Sequence, residues 1–219
     1  MKALLVNYRY NPSWLLDYPE LEPIIYDRTD DVQMQLDPRW DLTKYGAVIK
    51  TPNTGDVDHD KLNWLVENYD VLPDVFLWSK TNIHKFVDDK TLRQKLTEGK
   101  FAPLLKQDHK VYTDMYGEVN KYVGTQYGPI YAERNDSWFF HAGLDNAGRF
   151  RDWNDWATYF RLPIEPYIPF APGGSYILTR ENVTKHAKDV YIEMRDTLPY
   201  AMHPVEAHCA ERSYFYLFG

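Results

Sequence analysis

Along the first third of the chain, apolar residues come in short unbroken runs separated by polar clusters. Residues 3–7 (ALLVN), 23–27 (PIIYD) and 46–50 (GAVIK) have the look of strands covered on both faces. The period then changes: Leu62, Leu65, Val66 and Tyr69 recur at helical spacing, and Leu72-Pro73 stops the pattern before a fourth strand-like run at 74–79, DVFLWS. Strand, strand, strand, helix, strand predicts an α/β fold. The expected form is an open, mostly parallel mixed sheet flanked by helices, with a site at the strand ends.

Farther along, residues 85–96 read as an amphipathic helix, and 104–129 are polar, Tyr-rich and without a clear period. Residues 153–160 (WNDWATYF) predict a short aromatic helix that ends before Pro163. GGSYILT predicts a turn followed by a strand, and 181–198 predicts one long helix stopped by Pro199. Val205, Cys209, Tyr214 and Phe218 share a helical face at the end of the chain and predict a helix that closes the core. A single domain over 1–219 is expected, with a nucleotide-binding half at 1–81, a variable insertion at 82–136 and an acceptor or catalytic half at 137–219.

Composition narrows the function classes. The 219 residues are 44% hydrophobic, enough for one sizeable core. A net charge of −7 argues against a surface coated in phosphate-binding basic groups, while leaving room for a local basic groove. The lone Cys209 has no partner for an internal disulfide and reads as a small buried hydrophobe. The apolar run at the N-terminus is too short for a signal peptide, and no stretch is long enough to span a bilayer, so a cytoplasmic protein without membrane contact is expected. His59, His84, His109 and His141 lack the spacing of a zinc site, and no phosphate-loop, nucleophile-elbow or dinucleotide fingerprint is present.

The stretch KTPNTGDVDHDKLNW at 50–64 is the densest chemical signal. Asp56 and Asp58 form an Asp-x-Asp pair of the kind that grips a divalent cation on a nucleotide diphosphate. The same residues suit a helix start, where Thr54, Asp56 or Asp58 accepts from an orphan N–H and acidic groups meet the positive end of the dipole.

From IIYDRTDD through VIKTPNTGDVDHDKLNWLVENYDVLPDVFLWSK, the order resembles a poorly characterised family of small GT-A-like glycosyltransferases. Its pattern is Asn-x-Gly-x-Glu opening a helix, then Asn-Tyr-Asp-x-Leu-Pro-Asp before a strand. The chain matches at Asn53, Gly55, Leu62, Asn68, Tyr69, Asp70, Leu72, Pro73, Asp74 and Phe76, and carries Val57 where the family has its Glu. FAPGGSYILTRENV and HPVEAHCAERSYFYLFG are similar to the C-terminal half of that family. The resemblance implies a nucleotide-sugar donor, UDP as the favoured carrier and no permanently bound cofactor. In GT-A enzymes the metal-binding Asp-x-Asp follows the fourth core strand, where this chain has Ser79-Lys80-Thr81-Asn82. A metal-independent variant is therefore implied, in which Lys80, Arg180 or Arg212 neutralises the diphosphate.

Glycosyl transfer also needs a strand-end pocket and a base. Tyr8 at the end of the first strand, and Asp27-Arg28 at the end of the second, lie where an open sheet binds a nucleotide; Asp27 could hold ribose hydroxyls or cap a turn. Asn53, Gly55 and Asp56, from the stretch that carries the resemblance, are further candidate substrate-binding residues. Gly173 and Gly174 would let backbone approach the sugar, or simply make a tight turn. Glu206, where the resemblance places the catalytic carboxylate, and Glu211 are the candidate bases; Glu211 could instead pair with Arg212. Trp138, Trp153, Trp156 and Tyr159 form either a stacking platform or core. The compact acidic chain is similar to viral enzymes that decorate modified bases in their own DNA, which makes a hydroxymethylated or glycosylated pyrimidine the preferred acceptor. DNA would then lie along Lys85, Lys90, Arg93, Lys95, Lys100, Lys106 and Lys110, a strip that also suits a solvated helix face. The alternative is a non-catalytic nucleotide- or glycan-binding protein on a degenerate transferase fold.

Overall fold

A computed structural model describes residues 1–30, 41–105, 121–142 and 148–219. Four strands, β1 (Lys2–Asn7), β2 (Glu22–Asp27), β3 (Ala47–Lys50) and β4 (Val75–Lys80), run parallel in the order β3-β2-β1-β4. The sheet is completed by β9 (Tyr176–Thr179), antiparallel to β4, and β5 (Ala102–Pro103), antiparallel to β9. A separate three-stranded antiparallel sheet holds β6 (Lys121–Thr125), β7 (Gly128–Arg134) and β8 (Tyr167–Phe170). The expected α/β class, with a mostly parallel mixed sheet flanked by helices, is the observed one.

The unbroken apolar runs follow from covering the main sheet on both sides. On β1, Leu4 and Val6 face a core shared with α1 (Asp56–Asn68) and α6 (Val205–Phe218), while Ala3 and Leu5 face Leu92 and Leu96 of α2 (Asp89–Glu98). Trp78 on β4 is fully buried under α6, edge-on to Tyr214 and Phe218 at 5.7 and 6.0 Å. Truncating such an aromatic costs about 3–5 kcal/mol, so α6 is the element that seals this face.

Two expectations change. The helix expected at 85–96 is a 3-10 turn at Ile83–Lys85 followed by α2, because Asp88 accepts from Thr91 N and starts the helix there. The single helix expected at 181–198 is two, α4 (Arg180–Thr184) and α5 (Lys188–Asp196). Ala187 between them is extended, and the carbonyl of His186 accepts from the Tyr69 hydroxyl at 2.5 Å rather than from the next helical turn. The aromatic helix α3 (Trp153–Phe160) lies where its pattern placed it.

Candidate functional site

After β1 the chain adds β2 and β3 on one side, then crosses through α1 to place β4 on the other. The crevice at the carboxyl ends of β1 and β4 is therefore the switch point where open α/β sheets bind ligands. A cavity of about 180 Å³ opens there. Val6 and Tyr8 reach it from β1, Lys80, Thr81 and Asn82 from β4, Arg28 from the end of β2, and Asn53, Asp56 and Val57 from the start of α1; His203 closes the far side.

Two cations converge on this cavity. The Arg28 guanidinium is buried: Nη2 donates to the Thr54 carbonyl at 2.6 Å, and Nη1 pairs with Asp60 Oδ2 at 3.6 Å without a hydrogen bond among the described residues. The Lys80 carbonyl accepts from Ser79 Oγ, whereas its ammonium donates no hydrogen bond to a described residue. Burial by itself would lower its pKa, but the carboxylates of Asp56, Glu211 and Asp58 outweigh burial and hold it above its ordinary value, so the ammonium stays charged.

The start of α1 is tied down from outside the helix. Gly55 at its N-cap is left-handed (φ 72°), and a Cβ there would sit 2.5 Å from that of His59. Asp56 is also left-handed, at φ 50°. No side chain caps the helix in the usual manner; the N–H groups of Gly55 and Asp56 donate instead to the carbonyls of Ala201 and Met202 at 2.7 and 3.1 Å. Asp56 Oδ1 accepts from Val57 N at 2.6 Å, and Oδ2 lies 3.4 Å from His203 Nδ1. Burial pushes the Asp56 carboxyl up, but the His203 bond, Lys80, the Val57 N–H and Arg28 prevail and keep it well below the usual carboxylate range.

Asp56 and Asp58 diverge rather than share a ligand. Asp58 turns inward, accepting from the Tyr214 hydroxyl at 2.9 Å. One helical turn on, the fully buried Lys61 donates to the carbonyls of Gly173 and Gly174 at 3.0 and 2.7 Å. Burial raises the Asp58 carboxyl and lowers the Lys61 ammonium, each opposed by the other's charge. Both glycines are left-handed, and a Cβ on Gly174 would stand 2.9 Å from Lys61 Nζ. The Gly-Gly turn thus serves the buried lysine rather than lining the cavity.

Other expected residues lie elsewhere. Asp27 spends its carboxylate locally, accepting from Asn7 Nδ2 at 3.2 Å, from Thr29 N at 3.1 Å and from Lys50 Nζ. Arg180 pairs with Asp74 at 3.2 Å, at the opposite end of β4 from Lys80. That separates them by roughly 20 Å at about 3.3 Å per residue. Arg212 is buried and donates through Nε to Glu133 of β7, with Phe139 and Phe170 rings at 4.7 and 4.5 Å, so it clasps α6 to the small sheet. Glu211 stands 3.3 Å from Arg212 Nη1. Glu206 is fully buried against a second cavity of about 440 Å³, where Oε2 accepts from the Tyr200 hydroxyl at 2.5 Å and Oε1 has no hydrogen-bond partner among the described residues. A Cβ on Gly148 would overlap that oxygen at 1.6 Å.

Trp153 and Trp156 are core, Trp156 Nε1 donating to Ser213 at 2.8 Å, and only Tyr159 of that aromatic group faces the second cavity. On α2, Arg93 pairs with Asp89 and Lys95 with Glu98, as on a solvated face. Lys106, Lys110 and His109 lie outside the described residues. Sequence reasoning missed His203 and Lys61. Nothing in the local pattern marks His203, whereas a lysine on the apolar face of α1, between Val57 and Leu65, was a readable anomaly. No protein-family model, curated protein or solved structure matches the chain.

Proposed function

We propose that this protein is a nucleotide-sugar-dependent glycosyltransferase that binds the diphosphate of its donor with Arg28 and Lys80 and needs no divalent metal. The observation that carries the reading is the convergence of a buried guanidinium and a charged ammonium on the crevice at the carboxyl ends of β1 and β4. Arg28 lines the cavity with its guanidinium held in place by the Thr54 carbonyl and Asp60, and its positive charge together with that of Lys80 suits a diphosphate. The exposed ring of Tyr8 offers a face for a base, and the motifs at 50–79 add the transferase resemblance. UDP is the proposed carrier. The proposed acceptor is a hydroxyl, with a hydroxymethylated or glycosylated pyrimidine in viral DNA as its first instance.

Calorimetry with UDP, GDP and CDP tests the donor site. Lys80→Ala removes a charge-assisted contact worth about 1.5–3 kcal/mol, so UDP affinity should fall roughly tenfold or more. Mass spectrometry of DNA, glycan and protein acceptors incubated with UDP-sugars then detects transfer, which should persist in excess chelator. Unchanged affinity in Lys80→Ala, or loss of transfer in chelator that added metal restores, defeats the reading. A second reading, a nucleotide binder without transfer, is favoured by the cavity's modest 180 Å³ and by Glu206 and Glu211 both lying off it; binding of one nucleotide with no product on any acceptor selects that alternative.

A further inference from the structure

We propose that His203, held by Asp56, is the general base of the strand-end cavity. The inference rests on the transferase reading and moves the base away from Glu206 and Glu211. His203 lines the same cavity as Lys80 and Arg28, whereas Glu206 belongs to the other one. Its Nδ1 lies 3.4 Å from Asp56 Oδ2, and an ionised carboxylate can only accept, so in the proposed arrangement Nδ1–H is directed at Asp56 and Nε2 is the atom that takes the acceptor's proton. An aspartate that fixes the tautomer and orientation of a histidine is the arrangement that turns an imidazole into a directed base.

The backbone around the pair is built to hold that relation. Asp56 is one of few non-glycine residues with positive φ among the described residues. Strain of this kind costs on the order of 1–3 kcal/mol and gathers where a side chain must be aimed. The Asp56 N–H donates to Met202, the residue before His203, and the Gly55 N–H donates to Ala201. Arg28 braces the same turn through the Thr54 carbonyl. The histidine and its carboxylate are therefore fixed to each other by the main chain as well as by their own contact. Among the described residues, the charged groups that line the cavity with His203 are Asp56 from α1, Lys80 from β4 and Arg28 beyond β2.

The step balances without another reactant. The acceptor hydroxyl gives its proton to His203 Nε2 as its oxygen bonds to the anomeric carbon of the donor sugar. The bond from that carbon to the diphosphate oxygen breaks, and its electron pair stays on the leaving diphosphate beside Lys80 and Arg28.

The test uses the full chain. His203 is more than half exposed, so His203→Gln should fold normally. It should bind UDP with affinity within about twofold of the parent, lose 10²–10⁴ in turnover, roughly the general-base range, and lose the acidic limb of the pH–rate profile. Asp56→Asn keeps a residue that tolerates a left-handed backbone; it removes a negative charge from an anion site, so kcat should fall while UDP affinity holds or rises. Independently of turnover, ¹⁵N spectra of the neutral His203 ring should show the Nδ1–H tautomer in the parent and a mixture in Asp56→Asn. A parent ring in the Nε2–H form overturns the proposal, as does parent-like turnover and pH profile in His203→Gln. Loss of turnover in Glu206→Gln or Glu211→Gln with His203→Gln active makes that carboxylate the base instead. If UDP does not bind and no UDP-sugar turns over, the transferase reading itself falls and takes the base with it.

Discussion

Replacing Lys61 by Met should be among the most damaging single changes in the protein. The Lys61 ammonium is fully buried and donates to the Gly173 and Gly174 carbonyls at 3.0 and 2.7 Å. Each charge-assisted bond contributes about 1.5–3 kcal/mol, and the loss also leaves Asp58 with its charge buried and no nearby cation on its own helix. Breaking one side of a buried charge arrangement costs about 3–5 kcal/mol, which is the expected loss here. For a chain of this size each kcal/mol moves Tm by about 2–4 °C, so Tm should drop by roughly 6–20 °C. Urea denaturation followed by tryptophan fluorescence measures it, since Trp78 lies 5.9 Å from the Lys61 Nζ, and the midpoint should move with the slope unchanged. The double variant Asp58→Asn/Lys61→Met should regain about 1 kcal/mol or more relative to additivity, because Tyr214 still donates to the amide oxygen while no charge is stranded. A single variant within about 1 kcal/mol of the parent, or a strictly additive double, would refute the account.

Two further outcomes follow from buried groups away from the cavity. His208 is packed on Phe139 at 5.5 Å, and burial, aided by the Arg212 charge, lowers its pKa from 6.5 to about 4. The unfolded chain takes up that proton first, so the stability His208 contributes is present above about pH 6.5 and is lost as pH falls toward about 4; His208→Gln should flatten the stability–pH curve across that window, and an unchanged slope counts against it. Arg212→Met strands the buried Glu133 carboxylate and should cost about 3–5 kcal/mol in denaturant titration while leaving UDP affinity untouched. A weakened nucleotide site in a normally stable variant would return Arg212 to the diphosphate.

The periodic apolar pattern by itself determined the α/β class, the four parallel strands and the start of α1, because strands buried on two faces can only be written as unbroken apolar runs. Strand ends followed from it, and with them Tyr8 and Arg28; Asn53, Asp56 and Lys80 came from the motif and the transferase resemblance, and the fold brings all five to one cavity. Only the tertiary structure decided how the remaining charges are used. Asp27 and Arg28 are adjacent in sequence, yet the first is consumed by Asn7, Thr29 and Lys50 and the second turns to Thr54, Asp60 and the cavity. Gly173 and Gly174 turn to a lysine 112 and 113 residues away, Arg212 to a glutamate 79 residues away, and His203 to an aspartate 147 residues away. Local spacing carries no information about such pairs, since a partner is chosen by which elements pack together and by the high cost of leaving a buried charge unmatched. The break between α4 and α5 has the same origin: helical propensity runs through residues 185–187, and it is the Tyr69 hydroxyl, supplied from another element, that takes the carbonyl there.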